Sequence, residues 1–225
     1  MIGFSIAART RQVSPDQIAR ARGLPVANVS DCMSRMTAGG PRLRPIHDNG
    51  SMAGPALTVR TRPGDNLMVH KALDLAQPGD VVVVDAGGDL TNAIIGELMQ
   101  SYAIQRGLGG IVINGAIRDL DALRAGSLPV YAAGVTHRGP YKDGPGQINV
   151  AVSFDGMVVE PGDLVIGDND GILCIPFDQV DAVLEAASAK QAAEATQMAD
   201  ILAGRSDRSW VDASLTRLGC ITAER

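Results

Sequence analysis

At residues 81–84, and again at 111–113, the chain carries unbroken apolar runs where a half-exposed strand would alternate. Such runs mark strands covered on both faces, as in a parallel sheet with helices packed on it. Helical signals surround them. Ser14, Pro15 and Gln17 supply an N-cap, a first-turn proline and a capping-box partner, predicting a helix over 14–23 that Gly23 stops. A second short helix is expected over 29–36 with Ser30 or Asp31 at its start, Asp31 reading as a cap rather than a catalytic acid. Residues 39–45 read as loop. From Met52 the pattern turns to strand, clearest over 56–61, and then to a helix over 66–76 capped by Asp65 or Asn66. His70 lies in that helix, where a lone histidine reads as packed or solvated rather than as a ligand.

Turn chemistry punctuates the pattern. Pro-Gly-Asp occurs at 63–65, 78–80 and 161–163, the proline and glycine suiting the central positions of a type II turn. Asp155-Gly156 joins two short strands as a hairpin. Residues 167–171 read as a turn between two more strands, because they lack the spacing and terminal glutamate of a calcium loop. A short strand at 93–95, a helix starting at Gly96, the strand from 111, a helix over 120–124 and a strand over 129–132 complete the middle. The end is an Ala-rich amphipathic helix over 177–203, suited to packing or oligomerisation. This order predicts one mixed-sheet, layered α/β domain over 1–225, with a C-terminal helix and tail from 178.

Composition narrows the function. With 225 residues, 45% hydrophobic and 20% charged, the chain has ample material for a core. Its net charge of −5 disfavours a nucleic-acid surface. Cys32, Cys174 and Cys220 form no CxxC pair, so neither a zinc knuckle nor a disulfide framework follows. No apolar run reaches transmembrane length and the N-terminus does not read as a secretion signal, so no membrane partner is expected and cytoplasm is the default.

The candidate chemistry lies between Gly96 and Asp119. Gly96 reads as an N-cap, so the amides of Glu97, Leu98 and Met99 form an anion cradle at a helix start. After the strand from 111, Arg118 and Asp119 stand at its exit, and helix, turn and strand could return Glu97 to face Asp119. Two carboxylates suit a hard divalent cation, and an arginine fork suits a planar carboxylate or an enolate. Together they describe a site for a 2-oxo acid. From spacing alone a second reading stands beside it, with Arg118–Asp119 a surface ion pair and Glu97 a solvated first-turn acid. Residues 85–89 form a glycine loop without a Walker or dinucleotide motif. The loop over 134–146, with His137, Arg138 and Lys142, suits either an acidic substrate or a subunit contact.

Gly96-Glu97-Leu98 followed by Arg118-Asp119 resembles the signature of the RraA-like family. So do Val29-Ser30-Asp31, Gly54-Pro55-Ala56, residues 134–140, and Pro161-Gly162-Asp163 through Asp170-Gly171, a resemblance spanning roughly 14–185. The resemblance implies a divalent-metal-dependent pyruvate aldolase acting on 4-hydroxy-4-methyl-2-oxoglutarate or 4-carboxy-4-hydroxy-2-oxoadipate, with oxaloacetate decarboxylation as a side activity. It implies Mg²⁺ or Mn²⁺ held by Asp119 directly and Glu97 through water, and the pyruvyl carboxylate on the amides of Glu97, Leu98 and Met99. Arg118 would stabilise the enolate, and Glu194 would arrive from a neighbouring subunit of a homotrimer or homohexamer. The alternative is the family's other branch, inhibitors of ribonuclease E that act by binding a protein. A methyltransferase label also attaches to the family, but no glycine-rich S-adenosylmethionine motif occurs here.

Overall fold

The computed structural model describes residues 3–36, 39–48 and 50–221, which divide into two compact units, 1–187 and 188–225. Twelve strands lie among the described residues of the first unit. They are β1 (Phe4–Ile6), β2 (Arg44–Pro45), β3 (Met52–Thr61), β4 (Val81–Asp85), β5 (Ala93–Ile95), β6 (Gly110–Ile117), β7 (Val130–Val135), β8 (Gly146–Ile148), β9 (Val152–Phe154), β10 (Met157–Val159), β11 (Leu164–Asp168) and β12 (Gly171–Ile175). The helices are α1 (Pro15–Ala21), α2 (Val26–Cys32), α3 (Leu67–Leu75), α4 (Glu97–Gln105), α5 (Leu120–Ala125), α6 (Val180–Leu202) and, in the second unit, α7 (Ser209–Arg217).

Strands β3, β4, β6 and β7 run parallel in that order, and α3, α4 and α5 are their crossovers. The unbroken apolar runs are explained by this arrangement. Val82, Val84, Ile111 and Ile113 face the three helices, while Val81, Val83 and Val112 face a second layer that includes the β9–β10 hairpin, Tyr131 and Cys174. All seven strand residues are fully buried, and burial of each such side chain contributes about 1.5–3 kcal/mol. A third cluster packs α1, α2 and the first turns of α6 on β11 and β12. Parallel strands joined by crossovers present their carboxyl ends on one edge, where open α/β sheets bind ligands. Asp85 of β4, Ile117 of β6 and Val135 of β7 mark that edge.

The turn expectations hold. Gly64, Gly79 and Gly162 have φ of 75°, 88° and 88°, and each following aspartate is buried. Asp155 and Gly156 have φ of 52° and 86°, closing the β9–β10 hairpin. Helix α1 has the full capping box of Ser14 and Gln17.

The second helix differs from its expected span. It starts three residues early, after Pro25, because the Asp168 carboxylate caps the Val26 amide at 2.9 Å from across the fold. Asp31 therefore sits in the last turn, paired with Arg35 at 2.8 Å, and is no cap. The expected loop over 39–45 contains β2, paired with β7. The expected C-terminal helix opens as a short 3₁₀ turn, Phe177–Gln179, before α6.

Candidate active site

Four segments meet at the carboxyl edge of the sheet. Strand β6 ends at Ile117, and the Arg118 amide bonds to the Ile95 carbonyl at 3.0 Å, which locks the exit of β6 to the junction of β5 and α4. At that junction Gly96 is the N-cap of α4. Asp119 turns back towards it: its backbone is left-handed, φ 55° and ψ 46°, a conformation uncommon outside glycine but tolerated by aspartate. Its Oδ2 accepts the Glu97 amide at 3.0 Å and lies 3.6 Å from Arg118 Nε. A Cβ on Gly96 would overlap Asp119 Oδ2 and press on Arg118 Cγ. The glycine is what lets the arginine–carboxylate pair lie on the helix start.

The third segment is the Pro-Gly-Asp turn after β3. Asp65 is fully buried and its two oxygens take four donors. Oδ1 receives the Leu67 amide that opens α3, and Oδ2 receives Arg62 Nη2 and the amides of Asp143 and Gly144. Tyr141 closes the arrangement, its amide on the Gly64 carbonyl and its carbonyl on the Asn66 amide. One buried carboxylate thus fixes both α3 and the fourth segment, the loop that carries Pro140 and Lys142.

These segments enclose a cavity of about 170 Å³ lined by Asn66, His70, Gly96, Leu98, Met99, Arg118, Asp119 and Lys142, with Ile94, Ile95 and Pro140. The volume is below that of drug-sized pockets and suits an acid of a few carbons. Two cations and a helix start give it a positive bias. Asn66 is 2% exposed; its Nδ2 donates to the Ile94 carbonyl at 2.8 Å, while its Oδ1 is buried and has no donor. His70 stands one turn further along α3, its amide on the Asn66 carbonyl. His70 is exposed by surface area, yet partial desolvation on its cavity side, reinforced by the Lys142 charge, lowers its pKa against the opposing pull of Asp74, which favours a neutral imidazole.

The expected residues divide. Gly96, Leu98, Met99, Arg118 and Asp119 come together as the sequence implied. The Glu97 side chain is exposed and does not line the cavity; its amide, occupied by Asp119, is its visible contribution. Lys142 of the basic loop joins the cavity, whereas His137 and Arg138 are exposed outside its lining. Glu194 belongs to the second unit, 3.0 Å from Lys190 Nζ one turn away. Asn66 and His70 were not expected here. The pertinent signal was their place just after a Pro-Gly-Asp turn at a strand's carboxyl end.

A divalent cation can be tested against this donor set. Among the described residues no three His, Cys, Asp or Glu side chains cluster as a metal cage. Mg²⁺ needs no such cage, since it keeps several waters and binds through one or two carboxylates plus substrate oxygens. Asp119 is half-exposed at the cavity and offers a hard carboxylate oxygen there, the donor type that Mg²⁺ takes, so the chemistry fits.

Comparison with known proteins agrees with this architecture. Residues 26–174 match the RraA-like family, described as Aldolase/RraA. A relative from Halalkalibacterium halodurans, named "Putative 4-hydroxy-4-methyl-2-oxoglutarate aldolase", is 41% identical over 181 residues, covering 80% of this chain and 86% of its own. The solved RNA-processing inhibitor RraA from Thermus thermophilis is 30% identical with a TM-score of 0.63, over 68% of this chain and 92% of its own. An uncharacterized Pseudomonas syringae protein shares the fold at 23% identity and a TM-score of 0.78, over 86% of this chain and 95% of its own. With a family match over more than half its length and a relative this similar over most of both chains, the protein belongs to the RraA-like family.

Proposed function

We propose that the protein is a divalent-metal-dependent lyase that cleaves a 4-hydroxy-2-oxo acid carrying a second carboxylate, such as 4-hydroxy-4-methyl-2-oxoglutarate or 4-carboxy-4-hydroxy-2-oxoadipate, releasing pyruvate. The observation that carries the reading is the Arg118–Asp119 pair folded onto the Gly96 helix start inside one cavity with Lys142. The aldolase name of the 41% identical relative supports it.

In this reading Asp119 holds Mg²⁺ or Mn²⁺ directly and Glu97 reaches it through water, with Glu194 of a neighbouring subunit as a third acid. The ion, when bound, supplies Lewis-acid polarisation of the 2-oxo group. The remaining work belongs to the chain. The Leu98 and Met99 amides, which have no intrahelical acceptors in the first turn, receive the pyruvyl carboxylate. Arg118 donates to the 2-oxo oxygen as the C3–C4 bond breaks and its electron pair delocalises into the enolate. Lys142 receives the distal carboxylate. The same enolate forms when oxaloacetate loses CO₂, so that decarboxylation accompanies cleavage. The reading places the enzyme in the cytoplasm as a homotrimer or homohexamer acting on a small acid; no described helix is long and apolar enough to cross a membrane.

The test is pyruvate release from 4-hydroxy-4-methyl-2-oxoglutarate and from oxaloacetate, with Mg²⁺ or Mn²⁺ and again with EDTA. Release that requires the ion and disappears in Arg118→Ala and Asp119→Ala, both still folded by circular dichroism, is expected. Near-normal rates in Arg118→Ala would sink the mechanism. Similarity to the solved RNA-processing inhibitor favours one other reading, a protein-binding regulator. Absence of release from both acids would favour that reading.

A further inference from the structure

The cavity wall has two chemical halves. On one side stand donors and cations: Arg118, Lys142 and the first-turn amides of α4. On the other stand acceptors, Asn66 at the N-cap of α3 and the His70 imidazole in its first turn. An anionic oxo acid satisfies the donor half. It leaves the acceptor half without purpose unless the ligand also brings a proton donor, because a buried carbonyl oxygen with no donor costs about 1–3 kcal/mol. Asn66 Oδ1 is such an oxygen, and its assignment is secured by Nδ2 donating to Ile94.

We propose that His70 is the general base that takes the C4-hydroxyl proton of the substrate, with Asn66 receiving the imidazolium it becomes. The proposal rests on the lyase reading above. The step balances without a further reactant. The hydroxyl proton passes to the free imidazole nitrogen, the O–H pair becomes the new C4 carbonyl, and the C3–C4 pair becomes the enolate. His70, now an imidazolium, returns its proton towards C3 to complete pyruvate. The ring's other nitrogen already carries a proton in the neutral tautomer and can serve Asn66 Oδ1; that hydrogen bond becomes charge-assisted after transfer, so it favours the reaction more than ground-state binding. Lys142 faces the ring from the loop, Asp74 lies on its own helix, and Arg118 and Asp119 stand across the cavity. His70 is exposed by surface area, and partial desolvation on its cavity side together with the Lys142 charge lowers its pKa, which favours the neutral form a base requires.

Oxaloacetate separates the roles, because it has no C4 hydroxyl and its decarboxylation needs no such base. In His70→Gln, which keeps polarity but cannot take a proton, cleavage of 4-hydroxy-4-methyl-2-oxoglutarate should fall about 10²–10⁴-fold, with oxaloacetate decarboxylation falling far less. The acid limb of the cleavage pH profile should vanish with it. Asn66→Ala should lower kcat for cleavage more than it raises KM. A readout independent of turnover is the imidazole NMR titration, where one of the three histidine signals, missing in His70→Gln, should titrate below the ordinary range and shift upward in Lys142→Ala. A variant that cleaves and decarboxylates in the wild-type ratio overturns the role of His70 while the lyase reading stands. Wild-type protein with neither activity overturns both.

Discussion

A single methyl group at Gly96 is enough to test the site at the scale of residues. Its φ of −149° is open to any residue, so Gly96→Ala costs nothing in backbone conformation. Its Cβ would instead displace Asp119 Oδ2 and Arg118 Cγ. Shifts of about 1 Å at a reacting centre cost on the order of 100-fold, so Gly96→Ala should lose at least that in kcat/KM with little change in melting temperature. Lys142→Ala should raise KM for a substrate with a distal carboxylate about tenfold, in line with about 1.5 kcal/mol for a charged hydrogen bond. His70 also carries a pH signature in stability. Its native pKa lies below the unfolded value, so the unfolded chain takes up its proton first on acidification. Stability should be whole above the ordinary imidazole range and decline as pH falls through it, and His70→Gln should remove that part of the decline in urea melts. The Arg118–Asp119 pair was legible because its two residues are adjacent and follow an unmistakable strand. Asn66 and His70 were not, since a helical histidine looks the same in sequence whether its face meets solvent or a cavity completed by segments far along the chain.

Among the elements, the Pro-Gly-Asp turn at 63–65 does more than reverse the chain. Asp65 opens α3, receives the 143–144 backbone and pairs with Arg62, so it sets Asn66, His70 and Lys142 at once. Asp65→Ala would leave two loop amides, a helix-start amide and a guanidinium without their acceptor. Breaking such a buried charge network costs about 3–5 kcal/mol, measurable by chemical denaturation, and the surviving folded fraction should show raised KM because the Lys142 loop is released. Turn chemistry was legible here because Pro, Gly and Asp act within four residues. The limits of α2 were not, because its cap is Asp168, supplied by β11. The same holds for β1 and β2, short edge pieces whose existence depends on β8 and β7 offering free edges.

At the scale of the whole chain, burial changes character at the end of the first unit. The buried residues of α6 are Val180, Val183, Leu184 and Ala187, all in its first turns. From 188 to 221 no described residue is buried, and Met198, Leu202, Trp210, Leu218 and Ile221 are exposed. The expected amphipathic helix therefore anchors through its start, and the rest has no core of its own; isolated helices of this size are marginal in water. A chain ending at Ala187 retains all three hydrophobic clusters of the first unit. It should fold cooperatively, with a melting temperature within a few degrees of the full chain. Activity then decides what the remainder contributes. If Glu194 supplies an acid to a neighbouring subunit's metal, the truncated chain should be folded yet poorly active, Glu194→Ala in the full chain should match it, and both should demand more Mg²⁺ for half-maximal rate. If full activity survives truncation at unchanged metal demand, the site is complete within residues 1–187 and the role carried over to Glu194 is wrong. Light scattering on the two forms adds the assembly state, since a segment with apolar residues exposed and none buried gains most from a second copy.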